Sequence, residues 1–290
     1  MHTNRTIKSI LYAQPMDMGG MPIRQPFPSR KTEHIDPFLL LHHADIMVPT
    51  NVETKQAGVG PHPHRGFSPV SFIFKGGVHH RDSRGNNQVV YAGGTQWMNA
   101  GMGVIHSERP PADIHEIGGR QELIQLWVNT PAKHKMDIPA YHPLTSEETP
   151  VVRSADGLTT VQVIAGKLNE VDGPIIPLSP VNTFTAEMKK GAKFFFTIPS
   201  SHNAFIYIMD GKIQVTGDSE VDEKYVAVFN NDGEGFELEA TADTHLFIGT
   251  GEPLNEPVAS HGPFVMNNQT ELMEAFRDYQ QGKMGVLIEE

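Results

Sequence analysis

Gly60-Pro61-His62-Pro63-His64-Arg65-Gly66, followed 42 residues after His64 by His106-Ser107-Glu108, is the stretch on which the fold turns. Residues two apart on a strand point to the same face. His62 and His64 can therefore meet at one point, and His106 with Glu108 can do the same from a second strand. Two such pairs on adjacent strands of a barrel make a pocket of three imidazoles and one carboxylate. One His-x-His in a chain with 15 histidines is a weak signal, because most histidines are satisfied core or surface residues. Two paired motifs, each bounded by glycine turns, are far less expected by chance. The donor set suits iron, copper, nickel, manganese or zinc as a divalent ion and leaves positions open for water or substrate. Neutral imidazoles and one carboxylate leave such a site with one net positive charge, which favours an anionic ligand such as an enolate or phenolate.

Composition narrows the alternatives. At 290 residues the chain is long for one domain and comfortable for two. Its 38% hydrophobic content fits a packed core, and no apolar run approaches the ~20 residues that span a bilayer. The opening Met1 to Gln14 has no long apolar stretch or small-residue cleavage site, so a cytoplasmic protein without membrane contact is expected. With no cysteine, disulfides, zinc–thiolate sites, iron–sulfur clusters and thiol nucleophiles are excluded. Net charge is −11, and the densest basic stretches, Arg24 to Lys31 and Lys189 to Lys193, are short. Direct nucleic-acid binding is disfavoured, since it needs a concentrated basic patch; a protein partner is compatible.

Short β-runs punctuated by 27 glycines and 22 prolines fill most of the chain, the pattern of an all-β barrel or sandwich. Strands are predicted at Val70–Phe74, Gln88–Tyr91, Leu123–Val128, Thr160–Ala165, Lys193–Ile198, Phe205–Met209, Tyr225–Phe229 and His245–Gly249. One helix is predicted from Gln269 to Gln281. Asn268 and Glu271 can form its capping box, Leu272, Phe276 and Tyr279 share its face, and Gly282 stops it. Lys133 to Gly157 reads as a connector. Val70 to Gly76 parallels Phe205 to Gly211, each an alternating apolar strand closed by a glycine, so a duplicated barrel is expected. The expected domains are 1–135, holding the metal, and 136–290, without metal ligands.

The order His62-Pro63-His64-Arg65-Gly66-Phe67, Gln96 to Gly101, then Gly103 to Glu108 resembles the pirin family of the cupin superfamily. Asp36 to Leu40, Ser179 to Thr183, Gly251 to Pro257, Gly262 to Asn267 and Asp278 to Gln280 extend the resemblance over nearly the whole chain. It implies a bicupin: two cupin β-barrels (double-stranded β-helices) with a short C-terminal helix. It also implies one metal held by His62, His64, His106 and Glu108, Fe(II) first and Cu, Ni, Mn or Zn as alternatives. The usual cupin glutamate would fall at Ser68, a poor ligand, so Glu108 supplies the carboxylate. Setting Gly76 against Gly211, and Ile105 against Ile248, places Thr197, Pro199, Gly249 and Gly251 where the four ligands would be in the second half.

The same resemblance implies a quercetin 2,3-dioxygenase-like enzyme, with Glu108 as catalytic base and a small aromatic, flavonol-type substrate. The alternatives are a metal-dependent regulator of a transcription factor or metabolic enzyme, or a cupin of different chemistry. A monomer is expected. Of His79 and His80 only one can face inward, and a structural or surface role is expected of both. His42-His43-Ala44-Asp45 reads as a loop under the barrel, with the mouth of the site as the alternative. His115-Glu116 reads as a solvated loop, and Phe67, Phe72, Trp97 and Met98 as core.

Overall fold

Alternating apolar runs closed by glycine turns form strands along almost the whole chain. The computed structural model describes residues 2–289. They separate into two compact units: one gathers residues up to Gln14, then 24–37 and 148–254; the other gathers 15–23, 38–147 and the chain from Asn255 onward. This differs from the expected cut after residue 135. Ala140–Leu144, expected in the connector, pairs with Thr95–Asn99, whereas Val151–Arg153 pairs with Thr159–Ala165 in the other unit. Pro143 hid the first of these strands. Proline lacks the N–H for a central position but is accepted in an edge strand, which this one is. The last segment returns because the helix Gln269–Gln280 buries Leu272 and Ala275 with Phe264 and Met266.

That helix starts as its cap predicts, with Asn268 accepting the Glu271 N–H at 3.0 Å. The Glu271 carboxylate, however, accepts the N–H of Asn267 at 2.9 Å rather than that of Asn268. A short second helix, Ala112–Ile117, stands where a polar loop was expected. Among the described residues no helix is long and apolar enough to cross a membrane.

Each unit contains one seven-stranded and one four-stranded antiparallel sheet. In the first barrel the smaller sheet runs Val59–His64, Val104–Arg109, Gly77–Asp82, Asn87–Tyr91. In the second it runs Lys193–Thr197, Gly235–Ala240, Lys212–Val215, Glu220–Asp222. The repeat glycines, Gly76 and Gly211, both have positive φ and close the equivalent strands Phe67–Lys75 and Asn203–Asp210.

Strand register now fixes which residues correspond. His62 faces His106 as Phe196 faces Phe236, and His80 faces Glu108 as Val215 faces Leu238. The counterparts of His62, His64, His106 and Glu108 are therefore Phe196, Ile198, Phe236 and Leu238, all in the apolar core of the second barrel. The expected counterparts Thr197, Pro199, Gly249 and Gly251 are corrected. The first pair was offset by one residue. Ile248 lies on Thr244–Gly251, which takes the sheet position of Arg120–Asn129 and not of Val104–Arg109. Each such apolar side chain contributes about 1.5–3 kcal/mol by burial.

Candidate metal centre

Val59–His64 and Val104–Arg109 run antiparallel with His62 opposite His106 and His64 opposite Val104. Toward Glu108 the register slips, so that Glu108 faces Val59 and the first strand holds one extra residue. Bulges of this kind re-aim side chains and recur beside functional sites. Gly60 lies within it, and its carbonyl accepts the Nδ1–H of His62 at 2.8 Å. His64 donates its Nδ1–H to the carbonyl of Pro263 at 3.3 Å. With both Nδ1 protons committed, both Nε2 atoms present lone pairs, the arrangement of metal-binding histidines.

Those two Nε2 atoms lie 3.1 Å apart. Lone pairs at that separation repel unless a cation lies between them. The His106 ring is centred 4.3 Å from that of His62 and 5.0 Å from that of His64. Both of its nitrogens are buried with no hydrogen-bond partner among the described residues. One ligand atom from each of the three rings lies within 4.8 Å of the others. Burial, and next the neighbouring His62, hold the pKa of His64 well below the usual histidine value, opposed by its bond to Pro263. Burial does the same to His106, followed by His62, His64 and His80. Neutral imidazole is the form that binds metal. The donor chemistry and the orphaned ring together fit a divalent ion.

Glu108 stands outside the three-histidine group. Its carboxylate accepts from Ser71 Oγ and from Gln125 Nε2, each at 2.8 Å. These two residues reach across from the larger sheet. Ser68, at the usual cupin glutamate position, instead donates to Asn99 at 2.8 Å. Beside Glu108 lies a cavity of about 40 Å³ lined by Met18, Met21, His42, Val59 and Gln125 among others. It has room for only a few waters.

The turn after His64 is clamped from below. Gly66 has φ +84°, and a Cβ there would sit 2.0 Å from the Val265 carbonyl, so only glycine fits. Buried Lys135 donates to the carbonyl of Gly66 at 2.6 Å, to Asn129 Oδ1 at 2.7 Å and to the Val265 carbonyl at 3.2 Å. Burial lowers its pKa to about 8.

Of the remaining histidines, His80 is the inward member of its pair, 3.0 Å from Asp82, while His79 bonds Asn87 at 2.6 Å near the surface. His42 and His43 lie on the strand Phe38–Met47 rather than in a loop. His43 is buried against Glu122 at 3.2 Å. His42 faces the cavity, and burial lowers its pKa to about 4. His115 lies in the short helix with Nδ1 3.1 Å from Thr54 Oγ1. Phe67, Phe72, Trp97 and Met98 are core. Ser71, Gln125 and Lys135 were not singled out in the sequence, whereas Asp82 was noted beside His79 and His80. Ser71 and Gln125 are brought to the site by strand register, and Lys135 by the turn that follows Ala132–His134.

Two barrels built alike, with a histidine cluster that could hold a metal in the first and hydrocarbon at the matching positions of the second, define a bicupin. The chain belongs to the pirin family. Residues 20–128 match the family's Pirin domain, and residues 183–285 match the Pirin C-terminal cupin domain. A Pseudomonas aeruginosa protein with the provisional name quercetin 2,3-dioxygenase is 36% identical over 91% of this chain and 92% of its own. The crystal structure of quercetin 2,3-dioxygenase from Acinetobacter baumannii aligns with TM-score 0.92 and 34% identity over 99% of this chain and 100% of that one. The bacterial pirin YhhW from Escherichia coli, crystallised in complex with nickel(II), shares the fold with TM-score 0.66 at 17% identity, over 84% and 99% of the two chains.

Proposed function

We propose that this protein is a metal-dependent dioxygenase of flavonol-type substrates, with His62, His64, His106 and Glu108 as its metal ligands. The observation that carries the metal reading is the cluster of three imidazoles, two with their Nε2 atoms 3.1 Å apart. The reaction class rests on the named relatives in Pseudomonas and Acinetobacter. A divalent ion bound there would supply Lewis-acid chemistry toward the substrate oxygen. His62, His64 and His106 would hold it, the tautomers of His62 and His64 being set by Gly60 and Pro263. Glu108 completes the set and accepts the proton of the substrate's acidic hydroxyl at a carboxylate oxygen. Ser71 and Gln125 orient that carboxylate and stabilise its charge.

Aerobic incubation of the protein loaded in turn with iron, copper, nickel and manganese tests the reading. Quercetin's visible band should bleach with at least one metal, and Glu108→Gln should slow bleaching by about 10²–10⁴-fold, the usual contribution of a general base. No turnover with any of the four metals would sink the flavonol assignment.

A further inference from the structure

Tyr141, on the strand Ala140–Leu144, faces Met98 on its neighbour. Gln96, two residues before Met98, faces Ser71, whose hydroxyl reaches Glu108. Alternation along these strands turns Tyr141 into the interior of the first barrel. Its ring stacks on His80, centroids 3.9 Å apart and planes 6° from parallel. His80 is register partner to Glu108, and its ring is centred 5.3 Å from that of His106.

The stack is braced from behind. Asp82 holds His80 at 3.0 Å and is itself pinned by the Asn86 side-chain amide at 2.7 Å and the Arg84 N–H at 2.9 Å. Yet the Tyr141 hydroxyl, the one polar atom of this aromatic pair's outer member, is buried with no hydrogen-bond partner among the described residues. Leaving a buried hydroxyl unpaired is unfavourable, and buried tyrosines ordinarily find a partner. Burial, then the charges of Glu108 and Asp82, push its pKa upward, so the group stays a protonated donor. A neutral hydroxyl there can donate to an anion, where another carboxylate would repel one.

We infer that Tyr141 anchors the ligand of this site, donating a hydrogen bond to an anionic atom, such as a phenolate or enolate oxygen, bound at the histidine cluster. The inference rests on the metal reading of that cluster and is independent of whether flavonols are turned over.

The test uses the full chain loaded with Cu(II), with sodium azide as the anionic probe. Metal content is measured first, and azide affinity then follows from the charge-transfer absorption of the bound anion. Tyr141→Phe keeps the stacked ring and removes only the hydroxyl. It should hold wild-type copper and bind azide about tenfold more weakly, the effect of one hydrogen bond to a charged group. Azide affinity within twofold of wild type at equal copper content would overturn the proposal. So would copper loss in Tyr141→Phe, which would make the hydroxyl a support of the metal site rather than a ligand anchor. Wild-type protein that takes up no copper would overturn this inference together with the metal reading. Because azide needs no turnover, inert quercetin would sink the dioxygenase reading alone.

Discussion

His106 carries a cost that His62 and His64 do not share. Those two spend their Nδ1 protons on backbone carbonyls, whereas both nitrogens of His106 are buried and unpaired among the described residues. Side chains kept against stability are expected where function requires them. His106→Leu should therefore retain less than about a tenth of wild-type metal, in line with the loss of a primary ligand. In metal-free form it should gain roughly 1–3 kcal/mol, the penalty of an unsatisfied buried group. Elemental analysis and calorimetry of the stripped protein check the two halves. Retained metal, or a less stable metal-free variant, would remove His106 from the site. The histidines were legible because their period-two spacing is local. Ser71, Gln125 and Tyr141 were not, since each meets the site only across strands: Glu108 lies 37 residues from Ser71 and 17 from Gln125, yet bonds both.

At the level of elements, the central strands followed from alternation, and the exceptions have separate causes. The run through His42 and His43 hid a strand because its polar side chains are satisfied by partners such as Glu122, on a distant strand. Pro143 hid an edge strand. Less visible still was the segment 15–23, whose Met18, Met21 and Ile23 wall the cavity beside Glu108. Its turn residues Gly19 and Gly20 both have positive φ, and a Cβ on either would meet nothing within 4 Å. The tip is thus unpacked, while the inner methionines close the pocket. Pockets for drug-sized ligands run to about 300–1,000 Å³, far above the roughly 40 Å³ available here. If the proposed flavonol is seated in this cavity, these side chains must give way, and an unopened pocket lowers apparent affinity by the fraction of time it is open. Replacing Met18 and Met21 by alanine should lower the apparent Kd for quercetin about three- to tenfold at unchanged metal content. Fluorescence quenching of the metal-loaded protein would measure it, and an unchanged Kd would mean that this segment is not the barrier.

The whole molecule divides one architecture between two tasks. In the second barrel the four ligand positions are Phe196, Ile198, Phe236 and Leu238, so burial there only stabilises. In the first, the same positions hold groups whose burial depends on charge state, and this sets a response to acid. His64 and His106 have folded pKa values depressed well below the usual 6.5. Below about pH 6.5 the unfolded chain binds protons that the folded metal-free protein refuses, so stability falls as pH falls. Glu122 acts in a lower window. Burial raises its pKa, but the hydrogen bonds from His43 and Lys75 outweigh that and hold it at about 2 against an ordinary 4.5. Its contribution is complete above pH 4.5 and disappears as pH drops toward 2. Thermal melts of metal-free protein should therefore show two acid limbs. His106→Leu should flatten the upper one, and Glu122→Gln only the lower one, by at most about 3 kcal/mol. Metal should steepen the upper limb, because an ion held by neutral imidazoles is released when they are protonated. A melting temperature that stays level from pH 7 to pH 5 in the metal-free protein would mean that His64 and His106 titrate as they do in the unfolded chain, and would argue against the cluster being held neutral by burial.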